Sequence, residues 1–353
     1  MAKNIKKDSL FQSIKSLIDE ARKHVVQNVN TAMVYTYFQI GRMIVEEQQG
    51  GKGRAAYAKE TITILSEQLT QEYGKGYSTS NLEYCRQFYL TYQNRISQTV
   101  FGKLDLSSVF EAFSKHFALS WSHYIQLLKI KKEEERRFYE IEAHKNHWSL
   151  RELQRQIGAA LYERVALSKD KEGVSRLAQE GQIIEAPTDV LKSHYVLEFL
   201  DLKEKDRYSE NDLETAIINK LEHFLLELGK GFLFEGRQRR FTFEGDSFYV
   251  DLVFYNRLLR CFVLLDLKIG KLTHQDIGQM QMYVNYYDRK IKTPEENPTV
   301  GIVLCKEENK TVVEFTLPEN NKTIFAKEYQ LYLPSKEELK KQLKYMGTGA
   351  IST

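Results

Sequence analysis

The chain has 353 residues, of which 42% are hydrophobic and 28% charged, and only five prolines. This composition excludes collagen-like and low-complexity proteins and is typical of a globular chain with room for two domains. The net charge of +3 is too small to indicate nucleic-acid binding by itself, so that function has to be argued from local clusters.

The cysteines and the apolar segments indicate the compartment. Cys85, Cys261 and Cys305 lie far apart and include no CxxC pair, so a zinc site built from thiolates is not expected, and the three thiols suit a reducing cytoplasm. The first residues lack the apolar stretch of a signal peptide, and no segment approaches the roughly 20 apolar residues that span a bilayer. We therefore expect a soluble cytoplasmic protein that does not bind a membrane.

Residues 1–170 predict an all-α domain. Glycine-rich breaks at 49–53 and 74–76 separate segments whose apolar residues recur every three or four positions. The next helix is predicted to begin at Ser80, because Glu83 three residues later completes a capping box.

This succession of helix, glycine-containing turn and polar, aromatic helix resembles a helix-turn-helix, as in a winged-helix-like domain. Arg86 and Gln87 on the second helix could reach phosphates or base edges. A plain helical bundle with a solvated face explains the same pattern, and the two interpretations remain open. Residues 171–189, which have more glycine, serine and charge and weaker periodicity, predict a linker.

From residue 190 to about 345 the pattern changes to a mixture of helix and strand, which predicts a second, α/β domain. The almost wholly apolar run at 299–304 is typical of a strand covered on both faces of a sheet. The predicted elements are a helix at 210–229, strands at 231–243, 247–255 and 258–267, a helix at 276–287, the buried strand at 299–304, and edge strands at 311–317 and 329–333.

Two carboxylates and one lysine stand in the second and third of these strands. Side chains two apart in a strand point the same way, so Asp266 and Lys268 should share one face, and a hairpin would bring Asp251 beside them. Two anions and one cation in a pocket can hold Mg²⁺ or Mn²⁺, with the carbonyl of Leu267 as a further oxygen ligand. Lys268 would orient or deprotonate a water molecule, or neutralise charge on a phosphate.

The spacing of Asp251 and Asp266-Leu267-Lys268 resembles the D…(D/E)xK signature of the PD-(D/E)xK, or restriction-endonuclease-like, nucleases. The resemblance implies an α-β-β-β-α-β core, which agrees with the order of elements predicted above. The family often has glutamate where this chain has Asp266.

Further site residues follow from the same resemblance. It implies that the helix before the strands donates a glutamate to the metal site, for which Glu214 is the candidate and Glu222 the alternative. It also implies a role for Gln279 and Tyr283, which have the QxxxY form of the helix after the lysine. The competing interpretations are a helix N-terminal acid for Glu214 and ordinary packing or surface residues for the pair.

Longer phrases resemble one bacterial family, the YhcG-like proteins, over nearly the whole chain. In that family a helical, winged-helix-like N-terminal domain of unknown function precedes a PD-(D/E)xK domain. The resemblance implies a metal-dependent nuclease, with DNA as the expected substrate; the alternative is a catalytically silent nucleic-acid-binding or assembly protein with the same fold. The phrases are FLLELGKGFLFEGRQRRF, FYVDLVFYNRLLRCFVLLDLKIG, LSWSHYIQLL and WSLRELQRQI.

A basic cluster precedes the carboxylates. On a strand, Arg237 and Arg239 should share one face and Arg240 the other, so one face could bind backbone phosphate, and Lys271 adds charge after the acidic strand. A solvated edge strand explains the same arginines. Nucleases of this type often cut two strands as dimers, so a homo-oligomer stays open, although the sequence has no dimer signature.

Overall fold

A computed structural model describes residues 2–50, 55–95, 106–202 and 208–348. The chain forms two compact units, residues 1–153 and 154–353, which are described separately below. None of the helices in the described part of the chain combines the length and the apolar character needed to cross a lipid bilayer.

The first unit is helical, and aromatic rings fill its core. Phe88 packs edge-on or tilted against Phe38, Tyr92, Phe117 and Tyr124, with ring centroids between 4.9 and 5.9 Å apart. Such pairs stabilise a core beyond the burial of their area. The helices are α1 (Ala2–Gly50), α2 (Ala55–Tyr73), α3 (Thr79–Tyr92), α4 (Leu106–His116), α5 (Trp121–Leu128), α6 (Glu133–Lys145) and α7 (Leu150–Gly158), which runs into the second unit.

Helices α2 and α3 form the predicted helix, turn and helix, but α3 begins earlier than expected. Ser78 is its N-cap, since its hydroxyl accepts a hydrogen bond from the backbone N–H of Asn81. The predicted capping box at Ser80 is therefore wrong. The described residues of this unit include no strand, so the wing of a winged helix is not confirmed.

The second unit is a six-stranded mixed sheet with helices on both faces. The strand order is β1-β6-β5-β4-β3-β2, antiparallel from β2 to β4 and parallel from β4 to β1. Apolar clusters cover both faces, as expected for a sheet whose central strands are parallel. The strands are β1 (His194–Val196), β2 (Phe232–Phe243), β3 (Asp246–Asn256), β4 (Cys261–Lys271), β5 (Val300–Glu307) and β6 (Ile324–Gln330).

The helices of this unit begin with α8 and α9, and α9 lies inside the segment 171–189 for which the sequence predicts a linker. Asp170 caps α9 by accepting a hydrogen bond from the N–H of Gly173. A π-helical turn, Tyr287–Ile291, follows α12 directly. The helices are α8 (Leu161–Ala166), α9 (Lys171–Glu180), α10 (Glu210–Asn219), α11 (Leu221–Leu228), α12 (His274–Tyr286), α13 (Lys310–Thr316) and α14 (Lys336–Thr348).

Two predictions about the end of the sheet are wrong. Residues 310–316 form helix α13, where the sequence predicts a strand at 311–317. Asn309 caps this helix by accepting a hydrogen bond from the N–H of Val312. Strand β6 begins five residues before the predicted 329–333 and is not an edge strand, since β1 pairs with its outer side. With only three residues, β1 is too short to give a periodic signal.

Candidate active site

The central antiparallel strands separate at a defined point, which we call the strand fork. Pairing of β3 with β4 runs from Asn256–Cys261 to Leu252–Leu265 and ends there. Immediately beyond it, the carboxylate of Asp251 accepts a hydrogen bond of 2.8 Å from the backbone N–H of Leu267. A side chain thus takes the position of a strand partner, and this fixes Asp251 between the two strands.

Asp266 and Lys268 meet on one side of β4. Asp266 is 1% exposed, and its Oδ2 lies 2.9 Å from Nζ of Lys268. The same ammonium lies 3.7 Å from Oε2 of Glu210, in the first turn of α10. The sequence analysis did not identify Glu210, whose contact with β4 depends on how α10 packs on the sheet.

The charges at the fork are unevenly compensated. Burial and, to a lesser degree, repulsion by the Asp251 carboxylate raise the pKa of Asp266 to about 7. The Lys268 ammonium acts in the opposite direction. Burial also disfavours the charged form of Lys268, yet the attraction of Asp266 raises the pKa of this lysine above its ordinary value. Lys268 is therefore firmly protonated, and the fork still lacks positive charge.

A glutamine joins the third carboxylate to this site. The amide of Gln238 donates hydrogen bonds to Oε2 of Glu214 and, at 3.1 Å, to Oδ1 of Asp251. Glu214 is 4% exposed; burial raises its pKa, the Gln238 hydrogen bond opposes the shift, and Asp251 adds to it. The sequence could have revealed Gln238, because the hairpin that pairs Phe243 with Asp246 sets Gln238 opposite Asp251.

Helix α12 brings the QxxxY pair to the same place. Gln279 donates a hydrogen bond to the hydroxyl of Tyr283, which is fully buried. Burial raises the pKa of Tyr283, Gln279 opposes the shift, and the charges of Asp266 and Asp251 add to it. Glu222, the alternative to Glu214, is exposed on α11 and is not brought to the fork.

The donor set fits a hard divalent cation. Within the residues that the structure describes, no three His, Cys, Asp or Glu side chains converge closely enough to hold a metal ion. Mg²⁺ keeps several waters and needs only one or two carboxylates, so Asp251 and Asp266 suffice. The raised pKa of Asp266 also shows that this buried site would gain from an added positive charge.

The arginines of β2 do not form the predicted shared face. Arg237 lies near Glu214 on one side of the sheet, whereas Arg239 lies near Tyr287 on the other. The prediction is wrong because Gln238, between them, has a φ of 48°, in the left-handed region. This conformation breaks the alternation of side chains along the strand.

Two of the other residues predicted to contact nucleic acid already have side-chain partners. Arg239 forms an ion pair with Glu235 at 2.5 Å, and Arg240 donates to the hydroxyl of Ser247. Lys271 is exposed at the end of β4.

The two residues of the first unit that are candidates for nucleic-acid contact already have partners within that unit. Arg86 lies 3.1 Å from Glu83, and the amide of Gln87 donates to the carbonyl of Leu128 at 3.2 Å. Arg86 remains half-buried at the surface of α3. Binding by either side chain stays a prediction.

Comparison with known proteins gives matches along nearly the whole chain. Residues 188–344 match the family described as YhcG PDDEXK nuclease domain, and residues 13–164 match the DUF1016 N-terminal domain. A relative from Escherichia coli (strain K12), "Putative nuclease YhcG", is 40% identical over an alignment 349 residues long, which covers 95% of this chain and 92% of the relative. These matches confirm the resemblance drawn from the sequence phrases.

Two solved structures are also similar to part of the chain. They are a repair endonuclease from Pyrococcus abyssi (17% identity, 37% of this chain, TM-score 0.25) and an EndoMS–dsDNA2 complex (15% identity, 38% of this chain, TM-score 0.26). The match spans half the length of each of those chains. Likenesses at this level carry no argument about function.

Proposed function

Since the chain belongs to the YhcG family, whose C-terminal domain is described as a PDDEXK nuclease, we propose that it is a metal-dependent endonuclease that hydrolyses phosphodiester bonds in DNA. The observation that carries the proposal is the strand fork, where Asp251, Asp266 and Lys268 meet in a largely buried site. Glu214, Gln279 and Tyr283 complete the proposed set of catalytic residues.

Asp251 and Asp266 would hold Mg²⁺ or Mn²⁺. Glu214, which Gln238 joins to Asp251, would have to shift on metal binding to serve as a third oxygen donor, because the three carboxylates do not converge without the ion. When bound there, such an ion polarises a phosphoryl oxygen and lowers the pKa of a coordinated water. The hydrogen bond from the Leu267 N–H holds the Asp251 carboxylate in place. Asp266, buried against Lys268, cannot turn away without losing the closer of the two carboxylate contacts of that ammonium.

Lys268 has two candidate roles, and its electrostatics favours one of them. A general base must be deprotonated near the working pH, whereas the Asp266 carboxylate holds the pKa of Lys268 above its ordinary value. We therefore assign Lys268 to charge neutralisation on the phosphate and to orienting the attacking water. This role requires its positive charge in every state of the reaction.

The proposal is tested by cleavage of linear, supercoiled, single-stranded and branched DNA and of RNA, each with Mg²⁺ or Mn²⁺. The wild type is compared with the Asp251→Asn/Asp266→Asn double variant. We expect cleavage by the wild type alone, and the panel then identifies the substrate. Wild-type protein that binds Mn²⁺ in calorimetry but cleaves nothing would overturn the nuclease assignment in favour of a silent binding protein.

The helix α10 glutamate has a matched control. Glu214→Gln removes one charge at the fork, and Glu222→Gln removes one from the exposed surface of α11. We expect the first substitution to slow cleavage and the second to leave the rate unchanged. Equal rates would remove Glu214 from the proposed set.

We further propose that the helical first unit docks nucleic acid through α3, which follows α2 and a short turn as in a helix-turn-helix. Arg86→Ala is then expected to weaken DNA binding without changing the cleavage rate at saturating DNA. Unchanged binding would leave the helical bundle as the better interpretation of this unit.

A cytoplasmic location is proposed on chemical grounds. Cys85, Cys261 and Cys305 are buried free thiols, a state that a reducing compartment maintains. Cysteine-labelling of the native protein in cell lysate, before and after unfolding, would show whether all three remain reduced.

A further inference from the structure

A pocket of about 460 Å³ lies where helix α12 meets the β2–β3 hairpin. This volume is within the range of about 300–1,000 Å³ that small-molecule sites occupy. Its walls combine two aromatic rings, Phe243 and Tyr286, with two amides, Gln281 and Asn285.

Two cations form another part of the wall. Arg289 and Lys290 belong to the π-helical turn after α12, and both are exposed. None of the described side chains that line the pocket is acidic. The charge of the pocket therefore suits an anion.

The aromatic wall leads directly to the strand fork. Phe241 stacks on Tyr286, with ring centroids 4.2 Å apart and planes at 11°. Phe241 also meets Tyr283 edge-on, with ring centroids 5.5 Å apart. Burial and the charges of Asp266 and Asp251 raise the pKa of Tyr283. One phenylalanine ring thus separates the pocket from a tyrosine of the proposed active site.

We propose that this pocket takes one unpaired nucleotide of the nucleic-acid substrate, next to the bond that is cut. The inference rests on the proposed function and names the part of the substrate that lies on α12. The base would stack on Phe243, whose ring meets Tyr286 edge-on with centroids 5.6 Å apart. Its edge would face Gln281 and Asn285, and the adjoining phosphate would lie against Arg289 or Lys290.

The chemistry of the pocket selects an unpaired nucleotide over a duplex. A base can stack on a protein ring only when its face is free of neighbouring bases. Phe243 is 40% exposed, so part of its side chain is open to a ligand, whereas phosphate contacts alone would not need an aromatic wall. The substrate would therefore contain a flap, a gap, a branch or an unpaired end.

The test measures binding of the full chain in EDTA, where the proposed metal-dependent cleavage cannot occur. Fluorescence anisotropy compares a labelled single strand, a blunt duplex, and the same duplex with a single-stranded overhang. Wild-type protein should prefer the single strand and the overhang. Equal affinity for the blunt duplex, or no binding to the single strand, would overturn the proposal.

Stacking is tested at Phe243. We expect Phe243→Leu, which keeps an apolar side chain but loses the ring, to weaken single-strand binding about fivefold or more. Phe243→Trp should restore the affinity, because stacking needs a ring face and not this particular residue. A loss that tryptophan does not restore would mean that Phe243 only packs the hairpin.

The phosphate contact has a matched control. Arg289→Ala should weaken binding and lower the slope of log Kd against log salt by about 0.7. Arg257→Ala removes another exposed arginine, outside the pocket, and should do neither. Identical losses in the two variants would overturn the assignment. The outcome is separate from the nuclease proposal, since a protein that binds in this way but never cleaves would refute only the latter.

Discussion

Two buried carboxylates in the second unit have opposite surroundings. Glu227 on α11 is fully buried and lies 2.5 Å from Arg164, 3.5 Å from Lys192 and 3.6 Å from Arg155. It also accepts a hydrogen bond of 3.0 Å from the backbone N–H of Val196. Asp266 at the strand fork has one cation, Lys268, and a second carboxylate close by.

The pKa values follow from that difference. Burial alone would raise the pKa of Glu227, but Arg164 and Lys192 lower it to about 2. Burial raises the pKa of Asp266 to about 7, and one lysine does not reverse the shift. Three cations therefore hold Glu227 in its ionised form, whereas the fork holds a charge deficit that a bound cation would remove.

The largest effect is expected from removing Glu227, the central anion of its cluster. Glu227→Ala leaves Arg164 and Lys192 buried without their shared partner, and breaking a buried ion pair in this way costs about 3–5 kcal/mol. Chemical denaturation of the variant measures the loss. Glu222→Ala, exposed on the same helix, is the control and should change the free energy of unfolding by less than about 0.5 kcal/mol.

The pH dependence of stability should have opposite signs at the two carboxylates. In metal-free protein Asp266 keeps its proton to about pH 7, whereas the unfolded chain loses it near 3.8. Folding therefore weakens as the pH rises between these values, by at most about 4 kcal/mol. Asp266→Asn should flatten this decline in denaturation curves recorded in EDTA.

Glu227 makes the stability of the folded chain depend on pH in the opposite direction. Its folded pKa of about 2 lies below the ordinary value of 4.5, so its stabilisation is complete above about pH 4.5 and is lost as the pH falls toward 2. Glu227→Gln should therefore remove stability at pH 7 and little at pH 2. If the two variants had the same pH profile, the contrast between the clusters would be wrong.

The fork could be predicted from the sequence because its parts are local. Asp266 and Lys268 are two residues apart on one strand, and a hairpin brings Asp251 beside them. The periodicity of the apolar residues predicts where the strands lie, and the spacing of the polar residues predicts which side chains share a face of the sheet. Even so, alternation failed at Arg237 and Arg239, where one residue with a positive φ intervenes.

The Glu227 cluster could not be predicted in the same way. Arg164 and Glu227 are 63 residues apart, and each stands in a helix where a charged residue is ordinarily solvated. Likewise, the β-branched residues of TVVEFT favour a strand, but the segment forms a helix that Asn309 caps and whose Val313 packs against the core. Contacts between distant helices and competition from caps are set by tertiary packing, which periodicity does not encode.

The next largest effect is expected from removing Lys268, the cation that pairs with Asp266 at the strand fork. Lys268→Ala should leave Mn²⁺ binding largely intact, because the carboxylate oxygens remain, but slow cleavage by about a hundredfold or more. Thermal stabilisation by Mn²⁺ and the cleavage rate are measured on the same preparation. Lys322→Ala, in an exposed loop, controls for the loss of a charge. Parallel loss of metal binding and rate would assign Lys268 a structural role.

The smallest effect is expected at Gln238, where an amide partly compensates the repulsion between Glu214 and Asp251. Gln238→Ala removes two hydrogen bonds to carboxylates, which should lower the free energy of unfolding of the metal-free protein by about 1–2 kcal/mol. It should also raise the pKa of Glu214 further, since the hydrogen bond from Gln238 opposes the rise caused by burial. Carboxyl-carbon NMR titration measures that pKa directly. Saturating Mn²⁺ should abolish the stability difference, because the charge of a bound cation offsets the carboxylate repulsion that the amide hydrogen bonds reduce. A difference that persists would mean that Gln238 stabilises the strand and not the carboxylates.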